Sequence, residues 1–307
     1  MKGYVVKKVL ISIITLLLVI LILFLLMELM PGSPFNNPKL SEEQRAILEA
    51  SYGLDKPVLY RYFLYVKNIL KGDFGVSYNL SIDTPVAVLI RNRLPVSVMI
   101  GLAATLAGSL LGLSLGFFAA FHAGKAMDTF IMALTVIGIS IPSYIFAIFL
   151  SYFVGYKWRW LPVIFDYRAP VSSSVMGVIS LSIFVMAVVA RFTRDEAMAV
   201  LKTDYVLFAR SQGISTKDLL FKYVIRNSLM GVVTVMTMLL VGLLSGSLVT
   251  ERIFSIPGIG FLLSSAISAN DYNVVVALSF LFSAIYVVAR LFLDLLYGII
   301  DPRVRVS

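Results

Sequence analysis

Apolar residues in this chain come in long unbroken runs, separated by shorter polar segments with their own periodicity. Six runs reach the roughly 20 mainly apolar residues that a helix needs to cross a bilayer. They lie at about 9–30, 95–121, 127–154, 173–190, 229–249 and 274–299. The pattern predicts an all-α membrane protein with six transmembrane helices in one transmembrane domain over 1–307. The first run follows Lys2, Lys7 and Lys8. It is too long for the apolar core of a signal peptide, about 7–15 residues, and no A-x-A site follows. A retained span is expected.

The polar segments predict helices too. Between the first two spans, in 31–94, Ser41 to Gln44 reads S-E-E-Q, a capping box opening a helix that Gly53 closes. Pro57 opens a second helix ending at Gly72 and carrying Tyr60, Tyr62, Phe63 and Tyr65. Pro85 opens a third, P-V-A-V-L-I-R-N-R. Short helices with aromatic and basic residues commonly lie in the membrane interface. Packing around the spans and contact with a docking partner both fit them.

Charge then orients the chain. With the N-terminus inside, the inner segments are the N-terminal tail, the 122–126 turn, the 191–228 loop and the C-terminal tail. They hold 13 Lys and Arg in under 60 residues, against 12 in about 100 outer residues. Short cytoplasmic loops are enriched in these residues, so both termini are expected inside and 31–94 outside. The +9 net charge therefore reflects orientation and anionic lipid, not nucleic acid.

The composition also limits the chemistry. The chain is 59% hydrophobic and 14% charged, with no cysteine and a single histidine, His122. Thiolate catalysis, disulfides and cysteine metal sites are excluded. No Ser/His pair or paired mid-span Asp can be assembled for an intramembrane protease. Charges such as Glu28, Asp128, Arg290 and Asp294 lie toward span ends, Arg290 and Asp294 at ion-pair spacing. A proton-driven carrier would place ionisable groups inside the bundle. A phosphate-binding G-x-x-x-x-G-K-[ST] is absent: Gly124-Lys125 is followed by Ala126, with Ala119 where the first glycine belongs.

The unusual polar segment is D-Y-V-L-F-A-R-S-Q-G-I-S-T-K-D-L-L-F-K-Y-V-I-R-N, residues 204–227. Thr203 or Asp204 can cap a short helix with Tyr205, Phe208 and Gln212 on one face, which Gly213 stops by adopting a left-handed conformation. Ser215 and Asp218 form a second capping pair, launching a helix with Leu219, Leu220, Tyr223 and Val224 on one side. Such an amphipathic knuckle either folds back on its own bundle or inserts an apolar knob into a groove on another protein.

Arg191, Thr193, Arg194, Val200, Leu201, Asp204, Tyr205, Ala209, Arg210, Gly213, Arg226 and Asn227 match a known pattern. The segment resembles the cytoplasmic coupling loop, the EAA loop, of binding-protein-dependent ABC importer permeases. The similarity is to the B-type subunit of the oligopeptide/dipeptide branch. M-P-G-S-P (30–34), Y-G-L-D-K-P-V-L-Y-R-Y, G-D-F-G-V-S-Y, E-R-I-F-S-I-P-G-I-G and L-D-L-L-Y-G-I-I-D-P-R-V-R extend the resemblance nearly end to end. Leu207 replaces the acidic residue that names the loop, Gly231 stands for a usual proline, and Met176-Gly177 lie where an L-P-A is common.

The resemblance implies a non-catalytic transport subunit in a bacterial or archaeal plasma membrane. It would pair with a homologous permease subunit, two ABC ATPase subunits that use ATP and Mg, and an extracytoplasmic substrate-binding protein. This chain itself would bind no cofactor. Peptides are the implied substrate; nickel or other metal chelates and oligosaccharides occur in the same branch. The ATPase-coupling residues would be Asp204, Tyr205, Ala209, Arg210, Gly213, Leu219, Leu220, Tyr223, Arg226 and Asn227. Within the spans, Ser140, Pro142, Tyr144, Ser182 and Ser245 are candidates for the pathway. For the serines, packing between helices is the alternative, and Pro142 also bends the third span.

Overall fold

The computed structural model describes residues 2–29, 41–215 and 218–300, with backbone alone for 2–4, 27–28 and 294–300. M-P-G-S-P, Arg303 and Arg305, and the Asp294 side chain with its expected pairing to Arg290, lie outside the described residues. All regular structure among the described residues is helical, as expected for a chain whose backbone must satisfy itself in lipid. Among the described residues five helices are long and apolar enough to cross a membrane, and one bent pair makes a sixth candidate. The chain gathers into two compact units, residues up to Pro95 with those from Gly258 on, and Val96–Pro257.

In the first unit, α1 (Lys2–Glu28) lies against α12 (Tyr272–Ile300) and α3 (Val58–Ile69). The Tyr62 hydroxyl of α3 donates to Leu17 O at 3.2 Å, and its ring meets Phe24 edge-on. That pair packs a helix of the 31–94 segment on α1. The capping box on α2 (Glu42–Ser51) forms in both directions: Gln44 N donates to Ser41 Oγ, and Ser41 N to Gln44 Oε1. The helix expected from Pro85 is no separate element. It is the start of α4 (Val86–Phe121), which continues through Pro95. Val86 and Ile90 join Leu262 and Ala266 of α11 (Ile259–Ser268) and Val274 and Leu278 of α12 in one apolar core.

Beside that core sits a polar staple. Asp271, fully buried, accepts from Ser77 Oγ, from Asn79 N at 3.1 Å and from Leu80 N at 3.0 Å. Asn273 donates through Nδ2 to Phe74 O at 3.1 Å and Val76 O at 2.7 Å. The G-D-F-G-V-S-Y stretch is thereby pinned to the first turn of α12. Gly75 has φ +75°, and a Cβ there would lie 2.5 Å from Asn273 Nδ2.

The second unit is organised around α7 (Pro170–Leu201), which touches α5 (Ala126–Ser140), α6 (Ser143–Leu150), α9 (Arg226–Leu244) and α10 (Leu248–Ile253). Its Val185, Ala187, Val189, Ala190, Thr193 and Ala197 are fully buried. Gly108, Gly112 and Gly116 of α4 pass over it so closely that added Cβ atoms would sit 2.6, 2.8 and 2.6 Å from Val185, Val189 and Thr193 Cβ. Small residues at four-residue spacing allow such approach between membrane helices. The spacing is plain in the sequence, yet the hydrophobic pattern alone does not single it out.

The third run is not one gently bent helix. At Pro142, α5 and α6 meet at 93°, and α6 runs on as π-helical turns over Ser151–Lys157. The pair still advances along α7. Asp128, at its start, meets Arg194, and Gly155, near its end, lies beside Met176. Those α7 residues are roughly 18 apart, or about 27 Å along the axis, close to the hydrocarbon thickness of about 30 Å. The pair thus covers about the length of one span along α7.

Candidate functional site

The knuckle is shorter than the 191–228 loop expected. Residues 191–201 are the last turns of α7, and the next long helix begins at Leu219. Between them lie a turn at Lys202–Thr203, α8 (Asp204–Ser211) and a second turn at Gly213. Thr203 stands at the N-cap of α8 but does not cap it; its hydroxyl donates to Val200 O at 2.6 Å. Gly213 has φ +75°, the left-handed stop that its position requires. A Cβ there would meet nothing within 4 Å, so the backbone angle alone selects glycine.

The second capping pair also forms. Ser215 Oγ accepts from Asp218 N at 3.2 Å and donates to Asp218 Oδ2 at 2.9 Å. Lys222 Nζ, 2.9 Å from Asp218 Oδ1, and the Ser215 hydroxyl hold that carboxyl below the usual carboxylate range.

The next seven residues are not α-helical. Leu219–Ile225 forms π-helical turns before α9 begins. This changes which face is buried. An α-helical period puts Leu219, Leu220 and Tyr223 together on the presented side. In the π geometry residues five apart align, and Leu219 (3% exposed) and Val224 (0%) both turn inward. They pack with Ala120, Ala197, Val200, Val206 and Ala209, bordered by Tyr223. Leu219 and Ala209 are thus buried at the foot of the knuckle. Leu220 is half-buried.

The outward face consists of other apolar side chains. Phe208 is 64% exposed, Phe221 63%, Leu207 49% and Tyr205 45%. Leu207, where the family's loop usually has an acid, belongs to this strip. Phe221 lies off the Leu219, Leu220 and Tyr223 face that an α-helical reading presents. Asp204, Arg210, Gly213, Arg226 and Asn227 are also exposed, and Asn227 Nδ2 donates to Tyr223 O at 2.7 Å.

A charged clamp braces the foot. Arg194 Nε and Nη2 reach Asp128 Oδ1 and Oδ2 at 2.6 and 2.8 Å, and Gly124 N donates to the same Oδ2 at 3.0 Å. A bidentate guanidinium–carboxylate pair fixes orientation as well as adding energy. It ties the 122–126 turn to the end of α7 that carries α8. Nearby, a Cβ at Gly231 would lie 2.8 Å from Glu196 Oε1, so the residue replacing the usual proline leaves room for that carboxylate.

The candidate pathway residues do not share one environment. Ser182 is buried, its hydroxyl turned back to Val178 O at 2.7 Å beneath Gly108, and Ser180 likewise bonds Gly177 O. Ser140, Pro142 and Tyr144 stay exposed around the α5–α6 break. Ser245, half-buried, donates to Val241 O at 3.3 Å. No cluster of residues able to hold a metal ion occurs among the described residues.

A multi-pass helical membrane protein with a rigidly footed, apolar-faced knuckle between two spans has the architecture of a transport permease. Residues 112–306 match the family of binding-protein-dependent transport system inner membrane components, and the chain belongs to it. It is 38% identical over 305 residues to the dipeptide transport system permease protein DppB of Lactococcus lactis subsp. cremoris, covering 99% of this chain and 100% of that one. To the oligopeptide transport system permease protein OppB of Haemophilus influenzae it is 33% identical over 306 residues, covering 99% and 100%. A solved structure described as an amino acid ABC transporter with histidines matches at TM-score 0.50 and 16% identity, over 70% of this chain and 94% of that one. This last likeness concerns the fold alone.

Proposed function

We propose that this chain is one of two homologous permease subunits forming the membrane pathway of a peptide importer. An extracytoplasmic binding protein delivers di- or oligopeptides, and two ATPase subunits, which carry the ATP and Mg, seat on the 204–221 knuckle. Both termini lie in the cytoplasm, and the membrane is a bacterial plasma membrane. The chain itself binds no nucleotide and catalyses no reaction.

The observation that carries this reading is the division of the knuckle into two faces. Val206, Ala209, Leu219 and Val224 fix it to α7, while Tyr205, Leu207, Phe208 and Phe221 are left without an intramolecular core. An apolar strip on a short helix suits a groove on a partner. Force on it reaches α7 directly, and α7 is continuous for 32 residues. Packed helices switch between discrete arrangements instead of bending continuously, so a seated knuckle can drive a change of access. The peptide class rests on full-length similarity to dipeptide and oligopeptide permeases.

The chain has no cysteine, so single-site chemistry tests this cleanly. Phe208→Cys, labelled with a thiol-reactive photocrosslinker in membranes holding the complete transporter, is expected to give an adduct with an ATPase subunit. Ile82→Cys, exposed in the outer segment, is expected to give none. Adducts from Phe208→Cys with lipid only, or ATPase adducts from Ile82→Cys, would overturn the proposal.

A further inference from the structure

Both tryptophans of the chain stand in one short segment, Lys157-Trp158-Arg159-Trp160, just past the π-helical end of the broken span. Trp160 is 73% exposed and Trp158 49%, with ring centroids 4.9 Å apart. Residues two apart do not normally stack. Here Arg159 takes φ +56°, Trp158 N donates to Phe153 O and Trp160 N to Val154 O, both at 2.9 Å. The turn is folded back on the helix end and presents the two rings side by side.

Three exposed cations stand in the same short segment as these rings: Lys157, Arg159 and Arg168. Asp166 is the acidic group in the same segment, and its carboxylate accepts from Arg168 N at 2.8 Å. Among the described residues no ion pair neutralises the three cations. Lys157 Nζ lies 5.8 Å from the Phe153 ring. The apolar surface leading here is continuous, because Tyr144, Ile148, Tyr152 and Tyr156 recur every four residues along α6 and its π extension, all exposed.

Depth decides what this patch meets. The broken span covers about the hydrocarbon thickness between Asp128 and Gly155, so Trp158 and Trp160 come where hydrocarbon gives way to headgroups. Indole rings prefer that level, and uncompensated cations there attract phosphate. We propose that Lys157, Arg159 and Arg168, with the paired indoles, form a binding site for the headgroup of an anionic phospholipid, anchoring the end of the broken span. This site is independent of the knuckle and of the substrate transported.

Because no other tryptophan exists in the chain, its intrinsic tryptophan fluorescence reports on this site alone. The full-length chain in nanodiscs should be compared with brominated phosphatidylglycerol or brominated phosphatidylcholine at equal mole fraction. Quenching is expected to be roughly threefold or more stronger from the anionic lipid, and stronger from bromines near the headgroup than from bromines deep in the chain. Lys157→Gln/Arg159→Gln/Arg168→Gln should abolish the preference while leaving quenching by phosphatidylcholine unchanged. Equal quenching of the wild type by both lipids would overturn the proposal without any variant. So would stronger quenching by deep bromines. Absence of quenching would place the rings against water or a protein partner and would also overturn it.

Discussion

Two regions of this protein hold irregular chain against a helix by opposite means. At residues 74–85 the polar groups turn inward: one fully buried carboxylate, Asp271, gathers a serine hydroxyl and two backbone N–H groups. At the knuckle the apolar groups divide, half of them inward as a foot and half outward as a strip. A satisfied buried polar network fixes one arrangement, because any other leaves donors orphaned. A half-exposed apolar knuckle leaves apolar surface that only a partner can cover. The first region holds one arrangement, and the second, on the function proposed above, receives a partner.

The largest effect is therefore expected at the staple. Asp271→Ala would strip acceptors from the buried Ser77 Oγ and the half-buried Asn79 N and Leu80 N. An orphaned buried donor costs about 1–3 kcal/mol, so a total loss of about 3–5 kcal/mol is expected after partial relaxation. A lowered unfolding midpoint of the solubilised protein, with faster proteolysis within 74–85, would show it. An unchanged midpoint would mean the network is dispensable and the contrast false.

A smaller effect sharpens the comparison, because one glycine in each region has the same φ of +75°. Alanine at either position bears the left-handed penalty of about 1–2 kcal/mol. At Gly75 the new methyl also meets Asn273 Nδ2 at 2.5 Å, and that amide is tied to two carbonyls. At Gly213 it meets open space. Gly75→Ala should thus lower the unfolding midpoint more than Gly213→Ala does. Equal shifts would show that packing around Gly75 yields freely.

The range of each interaction decides how legible it is in the sequence. The Ser41–Gln44 and Ser215–Asp218 caps and the left-handed Gly213 involve groups within a few residues, and they can be read directly. Asp271 and Ser77 are 194 positions apart, and Arg194 and Asp128 are 66 apart. Each residue alone looks like an ordinary loop or span-end charge. Tyr205 and Phe208 can be read on one face of α8, but the inward turn of Leu219 escapes for a local reason: the π turns at 219–225 rotate the face, and no residue type there announces them. At Pro142 the residue type announces a bend but not a right angle. The Gly108, Gly112 and Gly116 spacing is open to view and carries close helix contact in the second unit.

The smallest effect on stability, and the most direct test of the central claim, is Phe208→Asp. The ring is 64% exposed, so the folded chain should lose almost nothing, within about 0.5 kcal/mol. In the complete transporter the same change puts a carboxylate into an apolar contact, a cost of about 1–3 kcal/mol or more. Peptide uptake by cells carrying Phe208→Asp should fall roughly tenfold or further, with the chain inserted at normal levels and an unchanged unfolding midpoint. Uptake at the wild-type rate, with the ATPase subunits still bound, would contradict the assignment of this strip as the face through which transport is driven.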